Sequence, residues 1–150
     1  MPAIRLPESA EPLLKFCRRH EDAEDDACFE TYADLVVIAA SCGYQRLNGR
    51  PPSEPDAFLS EVYPIDIGVF KNQGLFPNLL LIGLGATGKA DIARDEEGLC
   101  RLAESFADVG CKHLGHELIS WTPARLHLEF AKNLSESHGS QNEKTTYPLI

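Results

Sequence analysis

Three groups of residues have types and spacings that could do chemistry. Gly83, Gly85 and Gly88 satisfy G-x-G-x-x-G, and Gly83 with Gly88 and Lys89 nearly completes G-x-x-x-x-G-K-[ST]. Both patterns present backbone N–H groups at a helix N-terminus to phosphate. Ala90 stands where the second pattern needs a hydroxyl for magnesium, and nothing after Lys89 resembles the buried parallel strands of a dinucleotide fold. The run therefore reads as a helix that its glycines end, with Lys89 at the negative end of the dipole.

The second group is Cys17 with His20, and Cys111 with His113 and His116. Four such ligands converging would make a tetrahedral zinc site, and a thiol beside an imidazole can be an activated nucleophile. No C-x-x-C occurs, the two clusters are far apart in the chain, and buried cysteine is a common small core residue. Gly-x-Ser-x-Gly is missing, and His116–Glu117 is not continued as His-Glu-x-x-His. The carboxylates form no pair distinct from solvated helix faces. No residue is assigned a catalytic or metal-binding role, and no cofactor is expected.

The third group is basic. Arg46 and Arg50 flank Leu47–Asn48–Gly49, and Lys71 follows the segment Ile65 to Phe70. Arginines carried on one loop can clamp a phosphate or carboxylate bidentately. Arg46, Arg50 and Lys71 form the preferred binding surface.

These residues need elements to hold them. Leu13, Phe16, Cys17 and His20 share one helical face, which predicts a helix over about Glu11 to His20, followed by the acidic run Glu21 to Asp26 as a solvated linker. Thr31 caps the next helix through Asp34. Leu35 to Ala40 is apolar all round and belongs in the core, and Gly43 suits a left-handed C-terminal cap. From Tyr44 to Gly74 the chain is irregular, with Pro51, Pro52, Pro55 and Pro64. Ser53 is placed as the cap of a short helix through Phe58 and Leu59. Ile65, Ile67 and Val69 alternate as in a strand, with no partner strand nearby, so the segment is either a short β element or the approach to a helix.

Pro77 opens a helix carrying Leu79 to Leu84 and ending near Gly85 or Gly88. Asp95 caps a long helix with Leu99, Leu102, Ala103, Phe106, Val109 and Leu114 at the helix period. Thr122–Pro123 starts a last helix with Phe130, Ala131 and Leu134 on one face, and a polar tail follows. The expected architecture is mainly α: a single compact domain of about five helices with one short β element. Its divisions are an N-terminal helix and acidic linker at 1–28, a helical core at 29–134 and a disordered polar tail at 135–150.

Composition narrows the function. The chain has 150 residues, 43% apolar, and a length of this kind suits one domain burying roughly two-thirds of its unfolded surface. No stretch approaches the ~20 apolar residues that span a bilayer, so no membrane contact is expected. The N-terminus has no apolar signal core and the five cysteines are an odd number, which together predict reduced thiols in the cytoplasm. A net charge of −9 opposes general nucleic-acid binding and suits either a solubility-tuned enzyme or a protein that docks on basic proteins.

Phe29-x-Thr31-x-x-Asp34, Ala39–Ala40, Gly43–Tyr44, Arg46 and Arg50–Pro51 together resemble the opening of the DNA-phosphorothioation (Dnd) system-associated protein 4 family. The resemblance continues through Ile65 to Phe70, Ala86–Thr87–Gly88, Glu97, Phe106–Ala107 and Gly110, and covers roughly residues 29 to 115. Such proteins travel with bacterial systems that mark DNA with sulfur or restrict invading DNA. The resemblance implies an accessory role in anti-phage defence, with no catalytic residue to carry over. The first expectation is a non-enzymatic adaptor that contacts a larger protein subunit of a defence complex, with any DNA contact indirect and a homo-oligomer compatible. The alternative is a small DNA-binding module using Arg46, Arg50 and Lys71. A weaker one is a nucleotide-binding or thiol enzyme.

Overall fold

The computed structural model describes residues 2–20, 23 and 27–118. The acidic positions Glu21, Asp22, Glu24, Asp25 and Asp26, the helix expected from Thr122 and the tail at 135–150 lie outside the described residues. Within them the protein is mainly helical, as its hydrophobic periodicity predicts. The four α-helices are α1 (Tyr32–Arg46), α2 (Ile67–Asn72), α3 (Phe76–Thr87) and α4 (Glu96–Leu118). Two 3-10 segments, Glu8–Phe16 and Ala90–Arg94, and a two-stranded antiparallel sheet of β1 (Ala3–Ile4) and β2 (Ile65–Asp66) complete it.

Local chemistry explains most of the boundaries. The Thr31 hydroxyl accepts from the Asp34 amide at 3.3 Å while the Thr31 amide donates to the Asp34 carboxylate at 3.1 Å. This reciprocal capping satisfies two otherwise unpaired donors at the start of α1. Asp95 accepts from the Gly98 amide at 2.9 Å and starts α4 in the same way. Gly88 closes α3 with φ 68°, its amide donating to the Leu84 carbonyl at 2.8 Å.

α1 and α4 form the most extensive helix pair. Small residues let their backbones touch: a Cβ on Gly43 would collide with the Phe106 carbonyl, and one on Gly110 with the Ala39 carbonyl. Gly43 therefore does not end α1 as expected; the helix runs on to Arg46, and the left-handed turn comes at Asn48 (φ 51°) and Gly49 (φ 79°). Leu35, Val36, Val37, Ala39 and Ala40 are buried, but Ile38 is 38% exposed, so the apolar stretch is not enclosed on every side.

Two further expectations are corrected. The first helix is not α-helical over Glu11–His20 but a 3-10 segment over Glu8–Phe16, with Pro12 inside it. Pro12 has no N–H to give, and the chain leaves the helix at Cys17 to bridge Phe29. Ser53 caps no helix, because Ala57 and Leu59 are held by the N-terminus instead. Glu8 donates to the Ala57 carbonyl at 3.0 Å and the Leu59 amide to Leu6 at 2.9 Å.

The same N-terminal segment supplies the strand partner that the sequence does not reveal near Ile65. β1 pairs with β2 in the register Ala3↔Asp66 and Ile4↔Ile65, and α2 begins at the next residue. Both expected forms of that segment thus occur in succession. Ile4, Leu6, Leu13, Leu14, Phe16 and Cys17 join the same hydrophobic core as α1 and α4.

Candidate functional site

The polar chemistry of the interior lies on α4, at positions the periodicity leaves between apolar ones. Glu104 is only 2% exposed, and Arg5 reaches it with both arms of its guanidinium, each at 3.0 Å. The Arg5 amide donates to the same carboxylate at 2.8 Å. These bonds raise the Arg5 pKa, the hydrogen bond to Glu104 being the main cause. The face of the Phe58 ring covers the guanidinium at 3.8 Å, holding the irregular segment over the pair. One turn on, Asp108 accepts from Ser9 at 2.6 Å and pairs with Lys112 at 3.0 Å. Glu8, Ser9, Asp56, Ala57, Asp108 and Lys112 border a groove of about 300 Å³ beside it. This carboxylate pair ties the N-terminal segment to α4.

The glycine motif has a structural explanation at each position. A side chain at Gly83 would strike Leu99, one at Gly85 would strike the Tyr44 hydroxyl, and Gly88 is the left-handed cap. The Gly88 amide is used by Leu84 and the Lys89 amide by the Thr87 hydroxyl at 3.2 Å. The motif also sits at the negative C-terminal end of α3, where a phosphate is repelled.

The thiols are equally committed. Cys17, Cys100 and Cys111 are buried, and desolvation pushes each thiol from 9.0 up to about 12. At such values almost no thiolate nucleophile exists near neutrality. Burial also raises Cys42, against the lowering effect of nearby Arg46. Among the described residues, no three His, Cys, Asp or Glu side chains are grouped to hold a metal ion.

The three basic residues divide between two places. Lys71, at the end of α2, is 2.5 Å from Glu96 and 5.1 Å from the centre of the Phe76 ring. Arg46 lies 3.4 Å from His113 Nε2 across the α1–α4 seam. A guanidinium has no acceptor, so the imidazole nitrogen accepts there. At 1.5 Å per residue, His113 is about 25 Å further along α4 than Glu96. Lys71 and Arg46 are thus set apart; Arg46 is the last residue of α1, and Arg50 follows the turn at Asn48 and Gly49. Among the described residues, neither Arg46 nor Arg50 has a carboxylate at ion-pair distance.

Beside that turn, α1 and α3 enclose a groove of about 360 Å³ lined by Ser41, Tyr44, Gln45, Asn78, Leu81 and Ile82. Leu81 is 68% exposed. The sequence does not reveal this groove, since Leu81 sits within a leucine run in which nothing local marks the exposed position. Sequence reasoning also passed over Glu104 and Asp108. Their i, i+4 spacing on an otherwise apolar helix face was the available signal.

Among the described residues, no helix is long and apolar enough to cross a membrane. No curated protein and no solved structure matches the chain. The family model for DNA sulphur modification system-associated protein 4 matches residues 3–147, extending past both ends of the stretch that carries the resemblance. The N-terminal strand and the Arg5–Glu104 pair fall inside the match, and the chain belongs to the DNA sulphur modification system-associated protein 4 family.

Proposed function

We propose that the protein is a non-enzymatic accessory subunit of a bacterial DNA-modification or restriction-type anti-phage defence system, acting in the cytoplasm by protein–protein contacts. Family membership supports the association with a DNA sulphur modification system. The observation that carries the adaptor reading is where the reactive side chains go. Glu104 and Asp108 hold the N-terminal segment, and Cys17, Cys100 and Cys111 are protonated in the core. The groups best suited to chemistry maintain the shape of the molecule, which leaves its surface as the working part.

Affinity purification of the tagged chain from its native cells, with nuclease present, tests this. Stoichiometric recovery of a larger ATPase, nuclease or DNA-modifying subunit is the expected result. Recovery of the chain alone, or turnover of DNA, nucleotide or thiol substrates tied to specific residues, overturns it.

A second reading, direct DNA binding through Arg46, Arg50 and Lys71, is favoured by the lack of carboxylate partners among the described residues at the first two. It requires salt-sensitive binding of duplex DNA against a net charge of −9, lost on charge reversal at Arg46 and Arg50.

A further inference from the structure

The ladder between the N-terminal segment and the irregular third is interrupted once. The Leu59 amide donates to the Leu6 carbonyl, and pairing resumes where Ile65 meets Ile4. Between them Ser60–Pro64 lie opposite Arg5 alone, so the chain loops out there. The loop is fixed at its middle as well as at both ends, because Val62 packs against the hydrophobic core. Its neighbours Glu61 and Tyr63 are exposed, Tyr63 by 90%. A single exposed tyrosine is ordinary on a protein surface. This one has no hydrogen bond or ring contact among the described residues, and it stands on backbone that is already held.

The charge around Tyr63 has one sign. Residues 51–70 contain Glu54, Asp56, Glu61 and Asp66, and no lysine, arginine or histidine. Arg5, on the facing strand, is held by Glu104 and covered by Phe58. Among the described residues neither Asp56 nor Glu61 forms an ion pair.

We propose that the Ser60–Pro64 loop docks on a basic surface of a partner protein, the Tyr63 ring meeting an arginine or lysine and Glu61 pairing with a cation beside it. The assignment rests on the accessory-subunit reading and names the surface and partner chemistry for it. Charge complementarity selects the occupant. A net charge of −9 and unneutralised local carboxylates attract a cationic surface and repel a phosphate chain. At close range the face of an aromatic ring attracts a guanidinium or ammonium group. Tyrosine has few torsions to fix, and a backbone pinned by Val62 and the ladder loses little further freedom on docking.

The test uses the full-length tagged chain purified from native cells with nuclease, comparing wild type, Tyr63→Ala, Glu61→Lys and Asp91→Lys. Asp91, exposed in the Ala90–Arg94 segment, makes the same charge change elsewhere and serves as the control. All three positions are exposed, so thermal midpoints should stay within about 3 °C of wild type. Recovery of the partner should fall about tenfold with Tyr63→Ala and about fivefold with Glu61→Lys, and stay unchanged with Asp91→Lys. In a second arm, benzoylphenylalanine replaces Tyr63. Irradiation should cross-link it to a partner peptide in which Lys and Arg outnumber Asp and Glu.

Undiminished recovery with either loop variant, or an equal loss with Asp91→Lys, overturns the surface and leaves the accessory reading standing. A cross-link to nucleic acid, to a second copy, to residues 119–150 of the same chain or to an acidic peptide also overturns it. Failure of wild type to recover any partner overturns the accessory reading and this assignment with it.

Discussion

A thiol enclosed by hydrocarbon keeps its proton, and Cys17, Cys100 and Cys111 are enclosed in this way. In the unfolded chain they ionise around 9.0, whereas the fold holds their protons up to about 12. Because the folded value is the raised one, the stabilisation is complete below pH 9 and is lost as pH climbs from 9 towards 12. In that window the unfolded state binds fewer protons than the folded state. Each thiol then contributes about 1 kcal/mol of lost stability per pH unit. Urea unfolding between pH 9 and 10.5 should show this slope, reduced by one thiol's share in Cys111→Ala. An equal slope in that variant would mean that Cys111 ionises in the fold. For Cys17 and Cys111 the sequence offers a core role as the ordinary one for cysteine, and the structure buries both. For Glu104 the only local signal was its i, i+4 spacing with Asp108; its partner was not legible, because a carboxylate enters a core only when paired and Arg5 lies 99 positions away.

At the scale of elements, caps and periodicity carried the most information. Thr31–Asp34, Asp95 and Gly88 are local signals, and each marks a helix end in the structure. Gly43 misled because a glycine has two uses, ending a helix or admitting a neighbouring backbone, and the second depends on a helix far away in sequence. The α1–α4 contact tests that second use. Gly110→Ala drives a methyl into the Ala39 carbonyl, backbone that no rotamer change can move aside. It should destabilise the protein by about 3 kcal/mol or more. Gly68→Ala, also in a helix, places its methyl 3.5 Å from the Asp66 carboxylate, an ordinary contact. That change should be neutral or stabilise by about 0.5 kcal/mol through helix propensity. Comparable midpoints for the two variants in thermal melts would refute the close packing of α1 on α4.

Over the whole molecule, the N-terminal segment works as a strap that completes an otherwise irregular third of the chain. Residues 57–67 have few hydrogen bonds of their own; Leu6, Glu8 and Pro2 supply partners for Leu59, Ala57 and Ile67. The strap is secured by α4 through Arg5–Glu104, with Phe58 stacked on the same guanidinium. Strap, irregular segment and long helix thus form one mechanical unit, assembled from three distant parts of the sequence. Glu104→Ala removes the shared acceptor of the Arg5 side chain and amide. Arg5 is partly exposed and can turn to water, so the loss should be about 2 kcal/mol, below that for a fully enclosed pair. Its distribution is the sharper test. Hydrogen exchange at the Leu59 and Ile67 amides should accelerate about tenfold beyond the change in global stability, because they are protected by the strap itself. The α1 interior, capped by Thr31 and packed on α4, should slow or quicken only with global unfolding. Uniform acceleration across both regions would show that the strap opens only when the whole domain does. The irregular third would then be held by the core rather than by the N-terminus.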